Sequence, residues 1–93
     1  MIQSEADAIE VAKKKIISGS YFSTGDFGSV PDFVDSLSEN ESCCKAIRFR
    51  SSLFVIVWKV SLSEKATTPS HRFATVSLSN CGAIFSDESY LER

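Results

Sequence analysis

Residues that interrupt or cross-link a fold are scarce in this chain: two prolines, four glycines and three cysteines among 93 residues. So little proline and glycine excludes collagen-like repeats and flexible-linker designs. An odd number of cysteines fits poorly with a secreted disulfide framework, so the expectation is free thiols in a reducing cytoplasm. No apolar run approaches the ~20 residues that span a bilayer. The opening stretch MIQSEADAIEVAKKK has no positive leader ahead of an apolar core and no small-residue cleavage site, so no signal peptide is read there. Without a secretory signal, the glycosylation sequon Asn40-Glu41-Ser42 carries no weight.

Charge of one sign is also missing from a long stretch. No lysine or arginine falls between Lys15 and Lys45, while Asp26, Asp32, Asp35, Glu39 and Glu41 all do. The net charge of −2 and the pI near 5.3 argue against nucleic acid as the main partner, because phosphate binding needs a positive footprint. The acidic stretch has two readings: a solvated surface that serves solubility, or a docking surface for a basic protein.

What is present is enough apolar material for one domain: 43% hydrophobic residues, seven phenylalanines, and a length well below the ~150 residues at which cores begin to divide. The first element reads as a helix over 4–18. Ser4 suits the N-cap, with Asp7 three residues on to complete a capping box. Ala8, Ile9, Ala12 and Ile16 form one apolar stripe, with Val11 and Ile17 beside or off it. Lys13, Lys14 and Lys15 suit the negative end of the helix dipole, and Gly19 suits a left-handed terminating position. The next segment is poor in pattern. Within it PDFVDSL reads as a short second helix, with Pro31 in its first position and Phe33, Val34 and Leu37 on one face. Tyr21, Phe22 and Phe27 are too aromatic for a free linker, and some are expected to fold back onto the core.

From Lys45 the period changes to two. KAIRFR reads as a half-buried strand with Ile47 and Phe49 on the face opposite Ala46, Arg48 and Arg50. LFVIVWKVSL places Phe54, Ile56, Trp58, Val60 and Leu62 on one face and Leu53, Val55 and Val57 on the other. A strand apolar on both faces is central, with a helix on one side and the aromatic loop or a second copy of the chain on the other. A break or bulge is expected near Ser51 and Ser52, and a single long bent strand is the alternative. RFATVSLS alternates Ala74, Val76 and Leu78 against Phe73, Thr75 and Ser77. The stretch NCG ends in a turn glycine, Gly82; AIFSD is a last strand, and ESYLER reads as a frayed turn. The sum is an α+β fold over 1–93: an N-terminal helix packed on an antiparallel, roughly four-stranded meander, with a short second helix.

No motif specifies catalysis. The triplet Asp26-Phe27-Gly28 lacks every other kinase element, so its glycines read as turns. Cys43, Cys44, Cys81 and His71 are the soft metal ligands, but neighbouring cysteines on a strand point to opposite faces and converge poorly on one ion. A cysteine nucleophile paired with His71 would need the two in contact. Asp87 and Glu88 are the least poor acid–base pair, and no glycine loop cradles phosphate. Trp58 reads as core, with an indole N–H that needs a partner. No cofactor and no metal is expected.

The stretches SEADAIEVAKKKI, WKVSL and FATVSLSNCGAIF carry a resemblance. Ala8, Ile9 and Ala12, then Trp58 and Val60, then Val76, Leu78, Gly82 and Ile84 resemble the pattern of small PepSY and cystatin-like α+β domains, bacterial immunity proteins among them, some described as NTF2-like. That resemblance covers about two-thirds of the chain; the acidic insertion after the first helix, and Asn80-Cys81-Gly82 in the closing turn, depart from it. It implies a non-enzymatic protein-binding domain that neutralises a toxin or enzyme. The contact residues expected for such a basic protein partner are Asp26, Asp32, Asp35, Glu39 and Glu41, with Tyr21, Phe22 and Phe27 as apolar anchors. The alternative is a homodimer or an adaptor module of a larger complex, assembled through the strand surface. No membrane is expected among the partners.

Overall fold

The computed structural model describes residues 1–19, 29–50, 55–65 and 71–92, with the side chains of 85 and 87–92 excepted. Its class is α+β: helix α1 (Glu5–Ser18), short helix α2 (Val30–Ser36) running into a 3-10 turn (Leu37–Glu39), then β1 (Cys44–Arg50), β2 (Ile56–Ser63), β3 (His71–Ser79) and β4 (Ile84–Glu92). The strands pair antiparallel in the order β1-β2-β3-β4. β1 and β2 are thus two paired strands rather than one bent strand, and the expected break at Ser51 and Ser52 lies outside the described residues.

Helix α1 begins where its residues dictate. The Asp7 N–H donates to Ser4 Oγ at 3.1 Å, which satisfies one of the orphan donors of the first turn. The Asp7 carboxylate in turn accepts from the Gln3 N–H at 3.2 Å, one residue earlier than a capping box would reach. At the other end the expectation fails. Gly19 has φ −106° and ψ 179°, an extended conformation, and its N–H donates to the Lys15 carbonyl at 3.1 Å. That bond closes the helix without a left-handed residue, so the glycine's freedom goes unused. In α2, Val30 takes the first position and Pro31 follows it; the Asp32 N–H donates to Ser29 Oγ at 3.4 Å.

One core holds these elements together. Ala8, Ala12 and Ile16 of α1 share a buried cluster with Phe33 and Leu37, with Ala46 of β1, with Trp58, Val60 and Leu62 of β2, and with Ala74, Val76 and Leu78 of β3. Full burial of an aliphatic side chain of this size contributes roughly 1.5–3 kcal/mol. Ile9, Val11 and Val34 pack on its margin, and Ile17 is exposed. Ala8 and Ala12 face a sheet that also carries Ala46 and Ala74, so small residues on both sides let the helix axis lie close to the strands. Over the described residues the alternation of β2 and β3 is the expected one; Leu53 and Phe54, expected on opposite faces of β2, lie outside them.

β1 corrects the expectation. Its inward residue is Ala46, while Ile47 is 63% and Phe49 45% exposed. The cause is register. Ala46 lies opposite Val60 and Arg48 opposite Trp58, so the even positions of β1 share the face that α1 covers. Ile47 and Phe49 therefore emerge on the other face, beside Lys59 and Val57. The tail is a second correction: β4 continues through the expected frayed turn to Glu92, opposite His71.

The β3–β4 connection is tied to both chain and core. The Gly82 N–H donates to the Ser79 carbonyl at 2.9 Å, and the Ser79 N–H to the Ala83 carbonyl at 2.8 Å. The Ile2 N–H donates to the Asn80 carbonyl at 2.9 Å, and Trp58 Nε1 donates to Asn80 Oδ1 at 3.3 Å. Trp58 is core, and its N–H has the partner it needs. Gly82 sits at φ +90°, and a Cβ placed on it would lie 3.2 Å from Val11 Cγ1. Gly82→Ala should therefore cost about 1–2 kcal/mol in a urea unfolding series, from the left-handed backbone and the crowded Val11. Gly19→Ala, on extended backbone, should stay within about 0.5 kcal/mol. Equal costs at the two glycines would contradict this assignment of their roles.

Candidate functional site

The acidic stretch that the sequence singles out is partly folded into the domain. Asp32 and Asp35 lie on α2, Glu39 closes the 3-10 turn, and Glu41 occupies the turn before β1. All four are exposed. Tyr21, Phe22, Asp26 and Phe27 lie outside the described residues. Phe33 and Leu37 anchor the acidic segment by filling the core from its inner side, so Asp35 and Glu39 are presented from a fixed support. Four residues apart on nearly continuous helix, they lie on neighbouring turns.

Asp32 differs from the others. Its carboxylate, 75% exposed, accepts from Arg72 at 3.4 Å, across from α2 to β3. The Arg72 side chain is 15% exposed, and its guanidinium stands 5.6 Å from the centre of the Phe33 ring. Its closer partner is Glu64: Arg72 Nε donates to Glu64 Oε1, the Arg72 N–H to Glu64 Oε2 at 3.4 Å, and the Glu64 N–H to the Arg72 carbonyl at 3.0 Å. A mostly buried cation thus carries two carboxylates and an aromatic face, and it fastens α2 to the sheet. Asp32 belongs to this internal cluster more than to an outward surface. Nothing in the sequence pattern joins Asp32, Glu64 and Arg72, which are brought together only by the folding of α2 against β3.

The turn after the acidic residues is also fastened. Asn40 Nδ2 donates to the Ser63 carbonyl at 3.1 Å, Asn40 Oδ1 accepts from the Ser42 N–H at 3.1 Å, and the Cys43 N–H donates to the Asn40 carbonyl at 3.0 Å. The amide nitrogen of the sequon is thereby engaged in the fold. Cys43 and Cys44 are joined by a disulfide, against the expectation of free thiols, and Cys81 is free and exposed. Cys43 lies just before the strand, its N–H held by the Asn40 turn and its carbonyl by Ser63, so the adjacent pair is not two interior strand positions as the alternation argument assumed.

The fold does not bring His71 and Cys81 together. His71 opens β3 and Cys81 lies in the turn beyond its far end, so their backbones stand roughly 25–30 Å apart at strand rise. His71 instead stacks with Phe73 at 5.9 Å. Asp87 and Glu88 fall within β4, opposite Val76 and Thr75. Among the described residues no cluster of His, Cys, Asp and Glu could hold a metal ion, and no helix is long and apolar enough to cross a membrane. Comparison of the chain with protein-family models, with curated proteins and with solved structures finds no match.

Two surfaces remain as candidate sites: the exposed acids Asp35, Glu39 and Glu41, and the sheet face opposite α1, where Ile47, Phe49 and Val55 stand exposed around Val57. The Arg72 cluster separates Asp32 from the first of these. Glu64→Ala, which strips a mostly buried cation of its nearer partner, should cost about 1–3 kcal/mol in chemical denaturation. Asp32→Asn, at the exposed end of the same cluster, should cost less than about 1 kcal/mol. A larger loss at Asp32 than at Glu64 would reverse the assignment.

Proposed function

We propose that the chain is a non-enzymatic protein-binding domain, of the bacterial immunity or inhibitor kind, that docks a basic protein on its acidic α2 segment and neutralises it. One observation carries this reading. Asp35, Glu39 and Glu41 project from a segment whose other side is locked into the core by Phe33 and Leu37, and no lysine or arginine lies between residues 15 and 45 to neutralise them locally. A rigidly supported field of one sign favours fast, oriented encounter with a surface of the opposite sign. Asp26 with Tyr21, Phe22 and Phe27 belongs to the same proposed surface on sequence grounds, the aromatics as apolar anchors. Asp32 contributes through Arg72, by holding α2 in place. The target is a toxin or an enzyme with a basic active cleft, and blocking needs no chemistry from this chain.

A second reading, a self-associating or adaptor module, is favoured by the exposed apolar residues Ile47, Phe49 and Val55. It engages a different face and is compatible with the first.

The test uses the product of the adjacent gene, co-expressed and purified with the chain, and measures the Kd of the complex by calorimetry. Asp35→Asn, Glu39→Gln and Glu41→Gln together should weaken binding at least about tenfold, the loss expected from rim charges that steer and orient, and should flatten its salt dependence. Unchanged affinity and an unchanged salt slope would remove the acidic surface from the reading.

A further inference from the structure

The exposed edge of the sheet matches itself. β1 is an edge strand, with β2 on one side, and no described strand pairs with the other. Cys43 faces Ser63 one step beyond the Cys44–Leu62 pair, and the Cys43 carbonyl accepts from the Ser63 N–H at 2.9 Å. Odd-numbered residues of β1 therefore exchange backbone hydrogen bonds with β2, and the N–H and C=O groups of Cys44, Ala46, Arg48 and Arg50 point outward. Such an edge invites another strand unless it is blunted.

Edges are usually blunted by charge, and β1 carries Lys45, Arg48 and Arg50. Their placement decides what these charges exclude. If a second β1 lies antiparallel with Ile47 opposite Ile47, all seven residues of the strand overlap. Lys45 then lies opposite the partner's Phe49, Ala46 opposite the partner's Arg48, and Cys44 opposite the partner's Arg50. No base faces a base. The outward-pointing even residues also meet each other, as antiparallel hydrogen-bonded pairs require, and Ile47 falls in the non-bonded position on the two-fold axis. Moving the second strand by two residues in one direction sets Arg48 against Arg48, and by two in the other leaves Arg50 unpaired. A shift of one residue misaligns the donors and acceptors. Charge excludes one of these shifts and the loss of overlap disfavours the other, so the register centred on Ile47 is favoured and pairing is not forbidden.

The same register completes the open face. Ile47, 63% exposed, would lie against its own copy, and Phe49 beneath the aliphatic stem of the partner's Lys45. With Val55 exposed nearby and Val57, already buried, beside Phe49, the exposed apolar residues of the two copies form one stripe across the joined sheets. Helix α1 packs on the opposite face, so it does not cover Ile47.

We propose that the partner of this surface is a second copy of the chain, joined through antiparallel β1–β1 pairing centred on Ile47 into one continuous sheet. This deepens the self-association reading and rests on it; the acidic surface is not involved. The experiment is sedimentation equilibrium of the full chain in a Cys81→Ser background, with three variants. Ile47→Lys, which opposes two cations on the axis, should raise the dimer Kd by roughly tenfold or more. Arg48→Pro removes an outward N–H at an edge position where proline is tolerated, and should weaken the dimer while leaving the monomer's circular dichroism and melting unchanged. Ile47→Cys should form a disulfide between copies on mild oxidation, because non-bonded antiparallel pairs stand ~4.5 Å apart. A chain that stays monomeric at about 100 μM, where contacts in the micromolar range would associate it, overturns both the pairing and self-association. A dimer that ignores Ile47→Lys and Arg48→Pro and does not cross-link at position 47 overturns the β1 pairing alone.

Discussion

Close approach between α1 and the inner face of the sheet is the constraint from which the other features follow. Ala8 and Ala12 present almost no side chain, Ala46 of β1 and Ala74 of β3 share their buried cluster, and larger residues fill the rest of it: Ile16, Trp58, Val60, Leu62, Val76 and Leu78. In an interior packed to crystal-like density, a bulkier residue at Ala46 would push the helix away. That is why Ala46, and neither Ile47 nor Phe49, is the inward residue of β1. The larger apolar residues of that strand are displaced to the other face by the small one that the helix needs.

Polar bonds then position what the core does not. Asn80 receives both the Trp58 indole N–H and the Ile2 N–H, so the β3–β4 turn, the chain's beginning and the central tryptophan are one unit. Arg72 performs a comparable role for α2, joining Glu64, Asp32 and the face of Phe33. Asn40 ties the following turn to Ser63. Each joins parts of the chain that packing alone would leave free to slide. They also explain why the acidic residues of the α2 segment are surface features on a rigid base, a property that suits recognition.

The molecule thus offers two faces of different character. One is acidic, on α2 and the turns after it; the other is apolar and basic, on β1 and the outer side of β2. They lie on different elements and call for different partners. The proposed basic partner would engage the first, and the proposed second copy the second. His71 and Cys81, by contrast, are separated by the length of β3.

Local periodicity was enough to read α1 with its Ser4 cap, the short helix around Phe33, and the alternation of Trp58, Val60 and Leu62 and of Ala74, Val76 and Leu78. These depend on residues within a turn or two of each other, so one chain segment carries the whole signal. Periodicity names two faces of a strand but not which one turns inward, and for β1 the more apolar face was the outer one because register with β2 and room for α1 decided it. The same limit applies to Asp32, whose partner lies forty residues away, and to the Gly19 terminus, where a backbone hydrogen bond made a left-handed residue unnecessary. The Cys43–Cys44 bridge likewise arose from a turn that the strand pattern did not reveal. Neighbours along the chain determined the elements; contacts between distant residues decided which side of each element met water.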